Sequence, residues 1–396
     1  MNLPRFVQIH TLHNYSGALL NRDDAGLAKR LPYGDAIRTR ISSQCLKRHW
    51  RVADDRFALS ALGVPMAIRS RSTLDHIRKK LQEHGVNEVL AQTAAEGLRA
   101  AGLLDKGKDL KGKEALETGQ AVLLGLAEID YLVKRCAELA QEHTEEKALK
   151  AAVAKFLKDE KRNIEALVHG SGLESALFGR MVTSDVLTSR DAAVYVAHAF
   201  TVHEAQVEND YFTVVDDLMR EAGEQGSAGI FDTELASGLY YGYVVVDVPQ
   251  LVANLEGTKE EWSALPAERR ELSGRVVQHL LHLIATVSPG AKRGSTAPFD
   301  WAKFLLVEMG DWQPRSLAGA FQNALELQQP DIRGAAVQKL ADEISKLDAA
   351  YGAPLERRFL ALDDVAVPNA QRLPLAALAT WVQSCITQGN VSARGA

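Results

Sequence analysis

The first 52 residues concentrate basic side chains beside hydroxyl and amide groups. They hold nine Lys and Arg against three Asp, a net charge of +6, whereas the remaining residues hold 37 basic and 48 acidic side chains, a net charge of −11. Such a local field attracts polyanions even when the whole chain is acidic, and interleaved Ser, Thr and Gln can bond phosphate and sugar oxygens. We therefore predict a polyanion-binding surface, against the alternative of a solvated basic surface. The charged residues are Arg5, Arg22, Asp23, Asp24, Lys29, Arg30, Asp35, Arg38, Arg40, Lys47, Arg48 and Arg51.

Known motifs for catalysis or cofactor binding are missing from the sequence. It contains no GxxxxGK[ST] phosphate loop, no GxSxG elbow, no HExxH zinc motif and no RNA-recognition octapeptide. His198 and His203 lack a third ligand nearby, so we interpret both as structural histidines. Adjacent side chains in a strand or turn point apart, which argues against a metal or acid–base site at Asp23–Asp24 or Asp216–Asp217. We expect no metal, no cofactor and no enzymatic activity.

A predicted helix would present part of the basic segment. The run ISSQCLKRHWRVAD is typical of a helix capped by Ser42 or Ser43. One of its faces is apolar and would pack on a core, and another is basic and amide-bearing near the helix start, where free N–H groups and the helix dipole favour anions. The apolar face holds Leu46, Trp50 and Ala53, and the basic face holds Gln44, Lys47 and Arg51.

Strand and helix patterns alternate along the rest of the chain, which indicates an α+β fold. Residues 21–40 are typical of a polar loop, residues 72–168 of a helical insertion, and residues 201–238, with nine acids and only one base, of a protruding hairpin. The predicted strands are Phe6–Leu12, Leu239–Val248 and Phe304–Val307, and the predicted helices are Ala192–Ala199, Ala267–Val287 and a last helix from near Pro374.

The length of 396 residues predicts two or three folding units. Three well-separated cysteines, Cys45, Cys136 and Cys385, exclude a disulfide framework. The sequence has neither a run of about 20 apolar residues nor a signal-peptide pattern at its start, so we expect a cytoplasmic protein without a membrane partner.

Four motifs in order resemble those of one family. The N-terminal run contains NRDD and RISSQCLKR, and GRMVTSD, YFTVVDDL and PGAKRGS follow along the chain. Together they resemble the CasC family of the RAMP superfamily, the backbone subunit of the type I-E CRISPR surveillance complex, Cascade. The resemblance runs over nearly the whole chain and is strongest at residues 5–51 and 178–295.

For the fold, the resemblance implies an RRM-like (ferredoxin-like) palm with a helical fingers insertion and a protruding thumb β-hairpin. The palm would comprise residues 1–55, 170–200 and 239–396, the latter including the C-terminal helices. The fingers would comprise residues 56–169 and the thumb residues 201–238.

For the function, the resemblance implies a non-catalytic subunit that binds CRISPR RNA in antiviral defence. Several copies would stack into a helical filament along the guide and present it for pairing with the target DNA strand. Further partners would be the large subunit, the small subunit, the 5′-handle-capping subunit and the 3′-hairpin repeat endonuclease of the ribonucleoprotein complex.

The resemblance also assigns RNA-binding residues. The palm residues match the family's RNA-gripping motif, Met181 matches a residue that packs on guide bases, and Tyr211 and Phe212 match the thumb wedge. A hairpin with nine acids would repel phosphates, but two aromatic side chains could still insert between bases. Core packing is the alternative for that aromatic pair. The expected palm contacts are Arg22, Ser42, Gln44, Lys47, Arg48, Arg51, Lys292 and Arg293.

Two other functions remain open at this point. One is a RAMP-type endoribonuclease of a CRISPR system, since Asp23 or Asp24 lies in a loop after the first strand and related backbone subunits cut RNA with a loop aspartate. The other is a protein-only scaffold whose basic face binds an acidic partner. No second acid, His or Lys constellation supports the nuclease.

Overall fold

Alternating strands and helices run through the computed structural model, which describes residues 3–104, 116–119, 121–159, 171–180, 189–215, 227–258, 260–352 and 354–389. The chain divides into two units. One comprises Met1–Ala58, Tyr195–Val246 and Gly274–Ala396, and the other comprises Leu59–Val194 and Asp247–Ser273. We call them the sheet unit and the helical unit. Within the described ranges, no helix combines the length and hydropathy needed to span a membrane.

The strands are β1 (Phe6–Ala18), β2 (Arg30–Tyr33), β3 (Ala36–Ile41), β4 (Ala67–Ser70), β5 (Val122–Gly125), β6 (Val194–Val196), β7 (Ala199–Thr201), β8 (Gln206–Val215), β9 (Ser227–Asp247), β10 (Phe304–Gly310), β11 (Glu356–Ala361) and β12 (Ala370–Arg372). Ten of the described strands form one sheet in the order β12-β11-β10-β1-β9-β7-β3-β2, with β6 and β8 also paired to β9. Strands β4 and β5 pair separately, in the helical unit.

The helices are α1 (Ser43–Arg51), α2 (Thr73–Glu83), α3 (Glu88–Ala100), α4 (Leu126–Glu142), α5 (Glu146–Asp159), α6 (Leu173–Phe178), α7 (Val248–Glu256), α8 (Ala267–Thr286), α9 (Arg293–Thr296), α10 (Ile332–Tyr351) and α11 (Leu375–Gln388). The predicted α+β class is therefore confirmed.

Both faces of the large sheet are covered, and strand alternation decides which residue faces which layer. Tyr241 lies in a core with Leu306, Phe359 and α10, whereas its neighbour Tyr240 lies in a second core with Tyr15 and Ile41. Leu46 of α1 packs on the second core, and Trp50 is buried. The face holding Tyr240 therefore supports α1 and the basic segment around it.

In the helical unit, apolar side chains of α2, α3, α4 and α5 form one buried cluster. An ion pair between Glu128 of α4 and Arg180 is almost fully buried, with 2.7 Å between their charged atoms. Glu128 also accepts the Gly125 N–H at the start of α4. The buried Glu128 carboxylate therefore has both a charged donor and a backbone donor, and such partners offset the cost of burying a charge. Members of the apolar cluster include Leu74, Ile77, Leu98, Ile129, Leu132, Val133, Leu149, Val153 and Phe156.

Several predicted elements are confirmed, and two are wrong. The strands Phe6–Leu12 and Phe304–Val307 lie within the longer β1 and β10, and Leu239–Val248 matches the end of β9 except for Val248, which begins α7. The helices at Ser43, Ala267 and Pro374 are present. The predicted helix Ala192–Ala199 is instead β6 and β7, because its Val and Tyr side chains fit a strand and the neighbouring β9 supplies hydrogen bonds.

The other wrong prediction is the polar loop 21–40, which contains the hairpin β2–β3. Its turn places Gly34 at φ +62, a left-handed conformation that favours glycine, and a Cβ there would lie 1.6 Å from the Gln322 carbonyl oxygen. Arg38 of β3 is fully buried and donates to the carbonyl oxygens of Thr201 and Phe321. These long-range contacts hold the hairpin on the sheet, and local sequence patterns do not report them.

A buried ionic cluster lies on the sheet face that α10 covers. The Glu308 carboxylate of β10 is inaccessible to solvent and accepts hydrogen bonds from Arg315, Arg357 and His10. Burial alone would raise the pKa of Glu308, but the hydrogen bonds and positive charges of His10 and Arg315 hold it far below its usual range. Arg357 continues the cluster to Asp348 of α10, at 2.6 Å. The cluster thus joins β1, β10, β11 and α10.

We expect Glu308→Gln to destabilise the protein by about 3 kcal/mol, because it leaves buried guanidinium groups without their counter-charge. The lowered pKa means that the stability from this carboxylate is present above its ordinary value of 4.5 and is lost as pH falls. Thermal unfolding between pH 5 and pH 2 should show a shallower loss of stability with acid in the variant, because the wild-type carboxylate is protonated there in the unfolded chain but stays ionised in the folded one. Asp364→Asn, which changes an exposed carboxylate, is the control. Equal unfolding temperatures for all three proteins would contradict the assignment.

Candidate nucleic-acid interface

Ser42 fixes the start of α1 and ties it to the preceding loop. Its hydroxyl accepts the Cys45 N–H at 3.2 Å, and its own N–H donates to the Asn21 side chain at 2.8 Å. The hydroxyl is therefore a helix cap, as the sequence predicted for Ser42 or Ser43. Asn21 also accepts the Lys29 N–H through its carbonyl oxygen. The loop that carries Arg22 and the start of α1 are thus held together through Asn21.

The two predicted faces of α1 are present. Trp50 is buried and Leu46 packs on the core, while Gln44 and Arg48 are exposed and Lys47 and Arg51 are partly exposed. The basic face of α1 therefore points away from the sheet, with three cations on just over one helical turn. It can contact successive phosphates of a bound strand.

A turn around Lys292 and Arg293 comes to the same region. The Ala291 N–H donates to the carbonyl oxygen of Leu19, two residues before Asn21. Lys292 donates to the Thr233 hydroxyl at 2.6 Å, which ties the turn to β9. Only the tertiary structure brings this turn beside the N-terminal segment, 270 residues away in sequence.

Cations from three segments lie close enough to Cys45 and His49 to shift the pKa values of these two side chains. Burial raises the pKa of Cys45 to about 11, and the charges of Arg48, Lys29 and Arg293 oppose the rise. Burial also lowers the pKa of His49, and Arg293 and Arg48 lower it further. Helix α1, the segment at Lys29 and the Arg293 turn therefore form one positively charged region. We call Arg22, Lys29, Arg40, Lys47, Arg48, Arg51, Lys292 and Arg293 the basic surface.

Arg40 and His198 were not among the predicted site residues. The Arg40 guanidinium donates to His198 Nδ1 at 3.0 Å, and both side chains are solvent-accessible. Burial lowers the pKa of His198, and Arg40 and Lys29 lower it further, so the imidazole is neutral at pH 7. The structural interpretation holds for buried His203, which accepts the Leu239 N–H at 3.1 Å, but His198 lies on the surface. No sequence pattern distinguished the exposed His198 from the buried His203.

Some of the counted charges do not contribute to the basic surface. Arg38 is buried among carbonyl oxygens, and Arg30 pairs at 2.5 Å with Glu234, which is almost fully buried. Arg5 lies at the other end of β1, above the Phe6 ring. The net charge of +6 in the first 52 residues therefore overstates the field at the site.

Strands β8 and β9 form the predicted acidic hairpin. Their antiparallel register pairs Gln206 with Ser237 and Tyr211 with Asp232. Tyr211 and Phe212 lie within β8 and not at its turn, and the Tyr211 side chain is 64% exposed, which argues against core packing for it. Glu204, Glu208 and Asp210 are exposed as well. Met181 and the Asp216–Asp217 pair lie outside the described residues.

Asp23 is a turn-forming residue. Its carboxylate accepts the N–H groups of Ala25 and Leu27 at 2.9 and 3.0 Å, which closes the loop after Arg22. Among the residues that the structure describes, no group of three His, Cys, Asp or Glu could hold a metal ion.

Comparison with known proteins places the chain in a family. A family model described as CT1975-like protein matches residues 7–384. The chain belongs to this family. It is also similar to a solved chain of a "CRISPR RNA-guided surveillance complex, pre-nicking", with 27% identity and a TM-score of 0.78, over 96% of this chain and 100% of the other.

A second solved chain shows the same fold. It is described as "CRISPR RNA-guided surveillance complex" and has 24% identity and a TM-score of 0.65, over 95% of this chain and 99% of the other. No curated protein matches the chain. The resemblance to the CasC family that the sequence motifs carried is confirmed by the CT1975-like match and these structures.

We expect Ser42→Ala to lower the free energy of unfolding by about 1 kcal/mol, because α1 loses its N-cap. Denaturant titration measures this change. Ser43→Ala is the matched control, since the Ser43 hydroxyl donates to the Gln44 side chain at 3.3 Å, whereas the capping bond is made by Ser42. If Ser43→Ala proved the more destabilising of the two, the capping assignment would be wrong.

Proposed function

We propose that this protein is a non-catalytic backbone subunit of a type I-E Cascade complex that binds CRISPR RNA. The observation that carries the proposal is the similarity, at a TM-score of 0.78 over 96% of the chain, to a chain of an RNA-guided surveillance complex. The basic surface supplies the chemistry that such a role requires. Cations from three separate segments lie together on the sheet unit, where they can neutralise several phosphates of one strand.

The proposed domains follow the sequence resemblance. The RRM-like palm would comprise residues 1–55, 170–200 and 239–396, the helical fingers residues 56–169 and the thumb residues 201–238. Copies of the chain would stack along one guide in the cytoplasm, with the other Cascade subunits at its ends and along its side, and the guide would pair with target DNA. Guide pairing reads the sequence in such systems, which agrees with a site built from backbone-gripping cations.

The proposed site residues would have three roles: binding the RNA backbone, positioning the basic surface and stacking on bases. Arg22, Lys47, Arg48, Arg51 and Arg293 would bind phosphates, and Gln44 can bond sugar or phosphate oxygens. Ser42 would act mainly by fixing the start of α1, and Lys292 by joining the turn to β9. Tyr211 and Phe212 would displace a guide base, with Met181 packing on the bases nearby.

The acidic hairpin supports a wedge and not a phosphate clamp. Its exposed carboxylates at Glu204, Glu208 and Asp210 repel phosphates, whereas the exposed ring of Tyr211 can stack on a base, a contact worth about 1–3 kcal/mol. Repulsion along the strand would keep the backbone near the palm. The ring would then reach a base from the side.

The alternative is a RAMP-type endoribonuclease with Asp23 or Asp24 at its centre. The structure gives Asp23 a different task, because its carboxylate is occupied by two backbone N–H groups of its own loop. Asp24 is exposed on the same loop. The arrangement favours the non-catalytic function.

The function is tested on the purified protein by its 260/280 nm absorbance ratio before and after ribonuclease. Lys47→Glu should weaken RNA binding equally for all sequences and lower the log–log salt slope by about 0.7 for each lost phosphate contact. Lys346→Glu makes the same charge change on α10, which covers the other sheet face, and should leave binding unchanged.

A protein free of nucleic acid that does not bind added RNA would refute the proposal and leave the protein-only scaffold. Metal-dependent RNA cleavage that Asp23→Ala abolishes would support the endoribonuclease.

Tyr211→Ala should leave the unfolding temperature unchanged, because the ring is exposed, while altering the regular nuclease footprint of the guide in the assembled complex. Tyr351→Ala removes a similarly exposed ring from α10 and is the control. A lower unfolding temperature with an unaltered footprint would show that Tyr211 is a structural residue.

A further inference from the structure

Two exposed aromatic rings follow the Lys292–Arg293 turn. Phe299 and Trp301 are 72% and 70% exposed, the highest values among the large apolar side chains that the structure describes. They flank Asp300 in the loop between α9 and β10. The sequence resemblance assigns them no role, and neither ring is needed to fill a core.

Hydrogen bonds fix the backbone of the loop that carries both rings. Asp300 accepts the Asn14 N–H at 2.8 Å and the Lys303 ammonium at 2.5 Å, and its own N–H donates to the Ser288 hydroxyl at 2.8 Å. Pro298, just before Phe299, is buried. The loop backbone is therefore ordered before binding, so less conformational entropy is lost when a ligand binds there.

The same loop is continuous with the basic surface. The Arg293 guanidinium donates to the Ser288 carbonyl oxygen at 3.2 Å, so Ser288 contacts both Arg293 and Asp300. Lys303 lies on the other side of the ring pair. Cations that follow a phosphate backbone, next to aromatic rings open to solvent, are the arrangement used for single-stranded nucleic acids.

We propose that Phe299 and Trp301 form a second base-stacking platform, on which bases of the RNA strand bound at the basic surface rest. The inference rests on the proposed function, because it needs RNA at that surface. It adds a contact outside the hairpin and assigns base stacking to the loop that follows Arg293. Stacking of this kind tolerates any base, since every base has a π face.

The test uses the full-length protein and a labelled 30-nucleotide single-stranded RNA. Phe299→Ala and Trp301→Ala should each raise Kd by about tenfold without changing the log–log salt slope, because stacking releases no counterions. Trp312→Ala is the matched control, since Trp312 is an exposed indole beyond the far end of β10, a strand about 20 Å long that separates it from Trp301.

Quenching of tryptophan fluorescence by RNA is a second measurement of stacking. It uses Trp301→Phe, which keeps an aromatic ring at the position and should fold like the wild type. RNA should quench wild-type fluorescence more than it quenches Trp301→Phe, which should weaken binding less than Trp301→Ala. Equal quenching in the two proteins would overturn the platform.

The outcomes separate the two proposals. Failure of the wild type to bind RNA refutes the proposed function itself. Unchanged Kd values for Phe299→Ala and Trp301→Ala, with binding still weakened by Lys47→Glu, refute only the platform. Unchanged RNA binding with lost self-association in sedimentation would make the rings a contact between copies of the chain, and would also overturn the inference.

Discussion

One uninterrupted strand, β9, is the constraint on which the sheet unit depends. Its first half pairs with β8 in the hairpin, and its second half pairs with β6 and β7 within the sheet. Because the strand is continuous, the hairpin projects from the sheet in a direction that the sheet fixes. Side-chain alternation along β9 also places Tyr240 and Tyr241 in different cores, so both covering layers are positioned by the same strand. A register slip of one residue would exchange the two cores.

The basic surface is built from segments that would each be weak alone. Asn21, Ser42 and the Leu19 carbonyl oxygen join the Arg22 loop, α1 and the Arg293 turn through backbone hydrogen bonds. These bonds use backbone groups and neutral side chains, so no charged side chain is needed to join the three segments. The charged groups that do fix the structure, such as Arg38 and Glu308, are buried elsewhere in the sheet unit. Lys292 has both roles, because it lies on the basic surface and also ties its turn to Thr233 of β9.

The contrast between the basic surface and the acidic hairpin suits a strand that must be held but not covered. In the proposed function, cations of the basic surface would attract phosphates, and exposed carboxylates on the hairpin would discourage a second phosphate contact there. Aromatic rings can act within either field, because stacking depends on desolvated surface and not on net charge. Tyr211 is an exposed ring on the acidic hairpin, and Trp301 is an exposed ring beside the basic surface.

The sequence alone determined the α+β class, the two faces of α1, the acidic hairpin and the resemblance that the comparisons confirmed, because periodicity and motif spacing are local properties. It narrowed the cap of α1 to Ser42 or Ser43, and the structure selected Ser42. Tertiary structure alone decided that residues 30–41 form a hairpin and residues 194–201 form strands, since both depend on partners far along the chain. It also decided which cations lie together. Arg38 was counted with its neighbours but is buried, whereas Arg40 and His198 meet at 3.0 Å on the surface, 158 positions apart. Local patterns record the type of a side chain, but its burial and its neighbours are set by non-local contacts.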